Sequence, residues 1–479
     1  MRPTRNYSLL TDLYQLTMSY GYWKQGMADR EAVFHLFFRK NPYKGNYAIA
    51  AGLAKAIELM KNFGFEEEDI EFLRGLKGND GKNLFGEAFL QYLLEMKFCC
   101  EVMAVPEGSL VFPHEPILRI KGPIVQAQIL ETPLLNILNF QTLIATKSSR
   151  ICQAAEGDTV LEFGLRRAQG PDGGLSASRA AYIGGCHATS NVLAGKLYDI
   201  PVKGTHAHSW VMSFPSERES FEAYAQAMPN NCVFLVDTFD TVEGVKKAIR
   251  VGKSLREKGY EMAGIRLDSG DLAELSIKSR QLLDEAGFPK AQIVASNDLD
   301  EYRIKELKEK GAKISIWGVG TRLATSYDQA ALGGVYKLAA IRDQEGEWQY
   351  KIKLSEQAIK VSNPGMQRVM RHFLHGKMVG DVIYQEEWGW ETRSFTSFEG
   401  NRISMDGMER KEVMEKIFDQ GKQVYTVPSI HQSRGKALEQ LSAFKDYIRE
   451  DSTYPVGLSD DLASLKQKLM EAANTQKAI

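Results

Sequence analysis

No run in this 479-residue chain approaches the roughly 18 consecutive apolar residues that a membrane-crossing helix needs. The segment from Met1 to Met18 also lacks the apolar core of a secretion signal. Cysteine is scarce, with five in all: Cys99 and Cys100 are adjacent, and Cys152, Cys186 and Cys232 stand apart. There is no C-x-x-C pair and no zinc-ligand spacing, so a disulfide framework is not expected and reduced thiols in the cytoplasm are. An excess of one charge is missing too. Lys and Arg number 60 against 61 Asp and Glu, a formal net charge of -1. No global field therefore draws the chain to nucleic acid or to an anionic membrane. What is present, 43% hydrophobic and 25% charged residues without low-complexity tracts, predicts a soluble globular protein of two or three domains.

The pattern changes twice along the chain. Residues 1–130 mix helix-like and strand-like runs, with Asp12 to Gln25 helical and Glu31 to Arg39 extended. Residues 131–340 alternate strand and helix. Strands are expected at 159–163, 200–204, 233–236, 264–267, 292–295 and 313–317, with a helical stretch from Gly174 to Leu197. Such alternation predicts a β/α barrel or an open doubly wound sheet, with the loops after the strands on one rim. Residues 341–479 lose the alternation and end in amphipathic helices. This tail is expected to complete the N-terminal domain in part, with the barrel inserted between.

The chemistry gathers where strands end, the usual ligand edge of parallel β/α folds. His208 lies in Gly204-Thr205-His206-Ala207-His208-Ser209 and can act as a general base or a phosphoryl acceptor. His206, two residues away, is expected to point elsewhere. Asp237 follows an apolar run and can orient a neighbouring histidine, whereas Asp240 suits the cap of the next helix. In Asp268-Ser269-Gly270-Asp271 a carboxylate matches the vicinal hydroxyls of a ribose or holds Mg²⁺ through water, and Asp271 suits a helix cap. Arg266, inside a strand, must meet an anion, because a buried unpaired guanidinium is costly. Gly318, Gly320 and Thr321 form a loop whose backbone N–H groups can approach phosphate oxygens. Phe163 can stack on a flat ring, and Arg166 can clamp a carboxylate or phosphate. Together these residues point to a phosphorylated ribose with a flat, anionic second substrate.

Several strings together resemble the nicotinate phosphoribosyltransferase family: Thr11 to Gln15, Glu162 to Gly174, Gly204 to Ser209, Arg266 to Asp271, Gly318 to Thr321 and Leu332 to Leu338. The long Glu162 to Gly174 string is the most specific. The resemblance implies a type II phosphoribosyltransferase fold, an irregular β/α barrel with a mixed α/β domain built from both chain ends. It implies a homodimer with shared active sites, in which nicotinate and 5-phosphoribosyl 1-pyrophosphate give nicotinate mononucleotide and pyrophosphate. ATP is a co-substrate and Mg²⁺ a cofactor, held mainly through substrate phosphates. Carried onto this chain, the resemblance makes His208 the phosphorylated residue and Asp237 its orienting partner. Tyr14, from the partner subunit, and Phe163 bracket the pyridine ring, and Arg166 helps to hold its carboxylate. Asp268, with Arg266, Ser269 and Gly270 beside it, binds the ribose, and Gly318, Gly320 and Thr321 cradle the 5′-phosphate. Related nicotinamide-using enzymes carry an aspartate where this chain has Ala188-Thr189-Ser190. The missing acid favours a carboxylate substrate, and nearby His187 adds a potential positive charge. A phosphoribosyltransferase for nicotinamide or another aromatic acid, and a catalytically silent nucleotide-binding barrel, remain the alternatives.

Overall fold

A computed structural model describes residues 6–357, 360–390 and 393–477. The chain divides into two compact units, Ile144–Ala330 and the combined flanks Met1–Leu143 with Ala331–Ile479.

The inner unit is built on a six-stranded sheet, every ladder of which is parallel. In spatial order its strands are Ala188–Thr189, Thr159–Glu162, Ile316–Val319, Gln292–Ala295, Gly264–Leu267 and Val233–Leu235. These strands are short and apolar, as expected where helices cover the sheet. Phe234, Leu235, Ile265, Leu267 and Ala295 are all fully buried. The intervening helices start on carboxylate caps. Asp240 accepts from Glu243 N–H at 2.9 Å, Asp271 from Ala273 and Glu274, and Asp300 from Arg303. A parallel bridge from Thr189 to Val202 extends the sheet by one position. Neighbours in the sheet are then neighbours in the chain, except that Ile316–Val319 returns to pair with Thr159–Glu162. Among the described residues one ladder of this cyclic order is lacking, between Val202 and Val233–Leu235. At that seam the Leu235 N–H donates to His206 Nε2 at 3.3 Å.

Three sequence expectations shift. The stretch expected to be helical from Gly174 to Leu197 is helix Gly170–Ile183, strand Ala188–Thr189 and helix Val192–Tyr198. The first helix stops at a glycine pair: a Cβ on Gly184 would sit 2.1 Å from Ala145 O, and Gly185 adopts φ +123°. The expected strand 200–204 shrinks to the Val202 bridge, because Pro201 has no N–H for a ladder. The last strand runs Ile316–Val319 rather than 313–317, so Gly318 belongs to the strand and not to the loop.

The flanking unit holds a seven-stranded antiparallel sheet. Its order is Trp348–Tyr350, Val335–Arg342, Glu31–Phe37, Leu118–Pro123, Glu101–Ala104, Glu415–Asp419 and Lys422–Gln423. Val335–Arg342, read from sequence as the end of the alternating region, pairs with Glu31–Phe37 and so lies in this unit. A second, six-stranded sheet is built from residues 367–458. Among the described residues, no helix is long and apolar enough to cross a membrane.

Candidate active site

A cavity of ≈ 390 Å³ opens at the carboxyl edge of the parallel sheet. Every strand but one feeds its wall. Phe163, Arg166 and Arg167 follow the first strand in the chain, Ser190 follows the second, and Thr205 to Ala207 follow the Val202 bridge. Arg266 and Asp268, Ser296 to Asp298, and Gly318, Gly320 and Thr321 complete it. The missing strand, Val233–Leu235, contributes from behind through Asp237 and Thr238. A wider depression of ≈ 520 Å³ in the flanking unit is lined by Arg368, Glu415, Lys416 and Tyr425 among others. Its cations are already taken, Arg368 by Glu386 and Glu412 and Lys416 by Glu101, so the smaller cavity holds the reactive set.

The expected His208–Asp237 pair does not form in this structure. Asp237 is buried, and its Oδ2 accepts from Asp268 N–H at 2.8 Å and Ser269 Oγ–H at 2.6 Å. Its Oδ1 is buried without a hydrogen-bond partner. The imidazole of His208 instead meets Thr238 Oγ1 with Nδ1 at 3.0 Å, and its Nε2 faces Asp268 Oδ2 at 3.7 Å. The reason is local: the Asp268-Ser269 turn offers two donors and captures the Asp237 carboxylate first. Asp268 Oδ1 in turn accepts from Ser296 Oγ–H. His208, Asp237 and Asp268 thus share one rim and one network, with Asp268 as the acid nearest the imidazole. His206 stands apart in character. It is buried, packs its ring against Tyr224 (centroids 4.8 Å apart), and burial pushes its imidazole down to about 4, so it is neutral and serves the seam.

Three arginines also line the cavity. Arg166 and Arg167 lie exposed on a short 3-10 turn, Leu165–Arg167. Arg266 reaches in from its strand and donates from Nη1 to Thr205 Oγ1 at 2.6 Å, while its Nε is buried and unpartnered. Burial pulls its guanidinium below the usual range, against the opposing pull of Asp268 and Asp237. Phe163 lies half-buried at the cavity wall. A Cβ on Gly318 would fall 2.8 Å from its ring, so glycine there lets the aromatic face lie against bare backbone. Gly320 and Thr321 follow, opening the short helix Thr321–Ala324. Of the other expected residues, Ser269 is spent on Asp237, and Gly270 makes the turn at φ +78°. His187 accepts from Val160 N–H through Nδ1 at 3.1 Å and does not line the cavity. Tyr14 sits on helix Leu13–Lys24 with 48% of its surface exposed.

Sequence reasoning gave no role to Thr205, Thr238, Ser296, Asn297 or Asp298. Asn297 and Asp298 both adopt positive φ, +95° and +44°, a strained pair at the cavity edge that only coordinates reveal. Ser190 lines the cavity at its strand end, in the stretch Ala188-Thr189-Ser190 that carries no acid. It is neutral, so the wall beside Arg166 offers a carboxylate no repulsion. Three arginines, two carboxylates, several hydroxyls and one aromatic face together suit an anionic sugar phosphate and a flat anion.

Comparison with known proteins agrees with this chemistry. Family models match three stretches: the nicotinate phosphoribosyltransferase N-terminal domain at residues 9–139, the nicotinate phosphoribosyltransferase family at 159–362 and its C-terminal domain at 366–466. Nicotinate phosphoribosyltransferase of Bacillus subtilis is 43% identical over 476 residues, covering 96% of this chain and 94% of that one. The human enzyme of the same name is 34% identical over 527 residues, covering 96% of each. The crystal structure of human nicotinic acid phosphoribosyltransferase superposes with a TM-score of 0.84 at 31% identity, over 96% of this chain and 99% of that one. A nicotinate-nucleotide pyrophosphorylase from Pyrococcus furiosus, 21% identical, shares the fold with a TM-score of 0.70 over 92% and 96% of the two chains. With all three family models matched and near-complete relatives above 30% identity, this chain belongs to the nicotinate phosphoribosyltransferase family.

Proposed function

We propose that this chain joins nicotinate to 5-phosphoribosyl 1-pyrophosphate, giving nicotinate mononucleotide and pyrophosphate, and couples the transfer to ATP hydrolysis through His208. The observation that carries the reading is the single cavity in which Phe163, Arg166, Arg266 and Asp268 meet beside His208. The ring nitrogen of nicotinate attacks the anomeric carbon of the ribose as the bond to pyrophosphate breaks. Phe163 stacks on the ring and Arg166 forks onto its carboxylate. Asp268 accepts from the ribose hydroxyls, with Ser269 and Gly270 shaping its turn. Arg266 brings its positive charge to a phosphate or carboxylate oxygen. The backbone at Gly318, Gly320 and Thr321 takes the 5′-phosphate.

In the coupling reaction ATP transfers its γ-phosphoryl group to an imidazole nitrogen of His208, and water later releases it as phosphate. The Asp268 carboxylate opposite Nε2 stabilises a proton there, which leaves Nδ1 with the lone pair beside the Thr238 hydroxyl. The buried free oxygen of Asp237 adds negative charge behind this pair. Among the described residues, no group of three or more metal-ligating side chains forms. Asp268 and Asp298 at the cavity suit Mg²⁺, which keeps waters and substrate phosphates as most of its ligands. When bound, the metal neutralises charge on the leaving pyrophosphate.

The cyclic strand order supports an irregular β/α barrel of the type II phosphoribosyltransferase kind, with its seam at Val202. The exposure of Tyr14 supports a homodimer in which Tyr14 of the partner subunit closes over the pyridine ring. The five cysteines form no disulfide, which supports a cytoplasmic site of action.

The test is product formation from phosphoribosyl pyrophosphate with nicotinate, nicotinamide and quinolinate in competition, for the unsubstituted enzyme and for His208→Ala. The substituted enzyme is expected to keep slow transfer and lose ATP consumption in step with product. Phosphate still released in step with nicotinate mononucleotide would remove His208 from the coupling.

A further inference from the structure

Glu162 ends the strand Thr159–Glu162 with 1% of its surface exposed. The catalytic reading gives it no task, yet its carboxylate touches both walls of the ring pocket. Oε1 accepts from the Gly164 N–H, which leads into Phe163 and the Arg166 turn. Oε2 accepts from Thr189 Oγ1–H at 2.6 Å and Ser178 Oγ–H at 2.9 Å. Its main-chain carbonyl takes the N–H of Ser190, the neutral residue on the far wall, at 3.0 Å.

The direction of these bonds is fixed from outside. Asn191 donates its N–H to Thr189 Oγ1 at 3.0 Å and its Nδ2–H to Ser178 Oγ at 3.1 Å. Each hydroxyl already accepts, so its one proton goes outward. Ser178 has a second outlet in the Gly174 carbonyl at 3.0 Å, while Thr189 has Glu162. A group that accepts on both oxygens is required, and a carboxylate is the side chain that does so.

Resting on the proposed pyridine pocket, we infer that Glu162 is a positioning residue: its buried carboxylate clamps the Phe163–Arg166 corner to the Thr189–Ser190 strand end and so fixes the gap into which the substrate ring and its carboxylate fit. Glutamine at 162 sets its NH₂ against a donor whichever way the amide turns, either the Thr189 hydroxyl or the Gly164 N–H. The two walls then part or rotate, while Asp268, Arg266 and the glycine loop on the sugar side keep their own partners.

Steady-state kinetics of the full-length enzyme with Glu162→Gln, Thr189→Val and Thr189→Ser read this out. Glu162→Gln is expected to raise the nicotinate KM about 10-fold, the scale of loss that follows sub-ångström misplacement of binding groups. The KM for phosphoribosyl pyrophosphate should stay within about twofold, and the preference for nicotinate over nicotinamide should narrow, because the loosened corner no longer holds Arg166 in register with the ring's carboxylate; the lost negative charge by itself would widen that preference. Thr189→Val should act in the same direction, and Thr189→Ser, which keeps the donor, should stay near the unsubstituted value. The threonine pair tests the idea even if Glu162→Gln fails to fold. An active unsubstituted enzyme whose variants move both KM values together, or lower kcat alone, overturns this inference and leaves the functional reading standing. So does Thr189→Ser behaving like Thr189→Val. Absence of any turnover by the unsubstituted enzyme overturns the functional reading and this inference with it.

Discussion

Two arginines, the buried Arg371 of the flanking unit and the half-buried Arg266 of the inner unit, differ in how completely they are paired. Arg371, in the flanking unit, uses every nitrogen. Nε reaches both oxygens of Asp381 at 3.0 Å, Nη1 donates to Gln440 Oε1 at 3.0 Å, and Nη2 donates to Leu110 O at 2.9 Å and to Asp381 at 2.6 Å. Tyr454 donates to the same aspartate at 2.7 Å. Burial opposes the charge, but Asp381 outweighs it and holds the guanidinium above its usual range. Arg266, in the inner unit, has Thr205 on one Nη and nothing on Nε. Burial wins there, and the guanidinium sits below its usual range. A closed set of partners ties strands and a helix together, whereas an open set leaves a donor for something the chain does not itself supply.

The sharpest way to break the comparison is Arg371→Met. Removing one side of a buried pair strands Asp381, and a loss of about 3–5 kcal/mol in unfolding free energy is expected, read by urea titration of the purified protein. A loss under about 1 kcal/mol would mean that the closed set carries no special stability. Arg266→Met should do the reverse. Stability stays within about 1 kcal/mol of the unsubstituted protein, because a half-buried, half-paired charge contributes little. Turnover per unit KM should fall by about 100-fold, equal to the roughly 2.8 kcal/mol of a charged contact made only with substrate. A variant that loses stability and keeps activity would place Arg266 with Arg371. The smallest effect is expected for Arg166→Lys. This arginine is exposed, so folding is untouched, and the nicotinate KM should rise by about 10-fold because a point charge replaces a fork. An unchanged KM would remove Arg166 from the ring's carboxylate.

Much of this was legible in the chain because apolar runs stop abruptly at polar loops. Val233 to Val236 followed by Asp237, and Gly264 to Leu267 followed by Asp268, place their acids at a strand end by simple alternation. The caps at Asp240 and Asp271 were readable for the same reason: an aspartate just ahead of an amphipathic run has N–H groups to satisfy. Ala188–Thr189 was not readable, since two residues carry no period. Nor was the partner of His208. Its place at a strand end and the family resemblance favoured Asp237, but which carboxylate oxygen faces which ring nitrogen depends on the turn at Ser269, a tertiary fact. Glu162 lay in plain view within the most specific string, yet a buried glutamate announces itself only through donors that arrive from elsewhere in the fold.

The missing ladder beside Val202 has a mechanical consequence. Along the rest of the parallel sheet, shifting one strand past another means breaking rows of main-chain bonds. The segment carrying His208 is instead fastened by single side-chain links: His206 to Leu235, Thr205 to Arg266, and His208 to Thr238. Adding or removing a charged group there, as the proposed phosphorylation of His208 would, can re-seat that segment by exchanging a few such links.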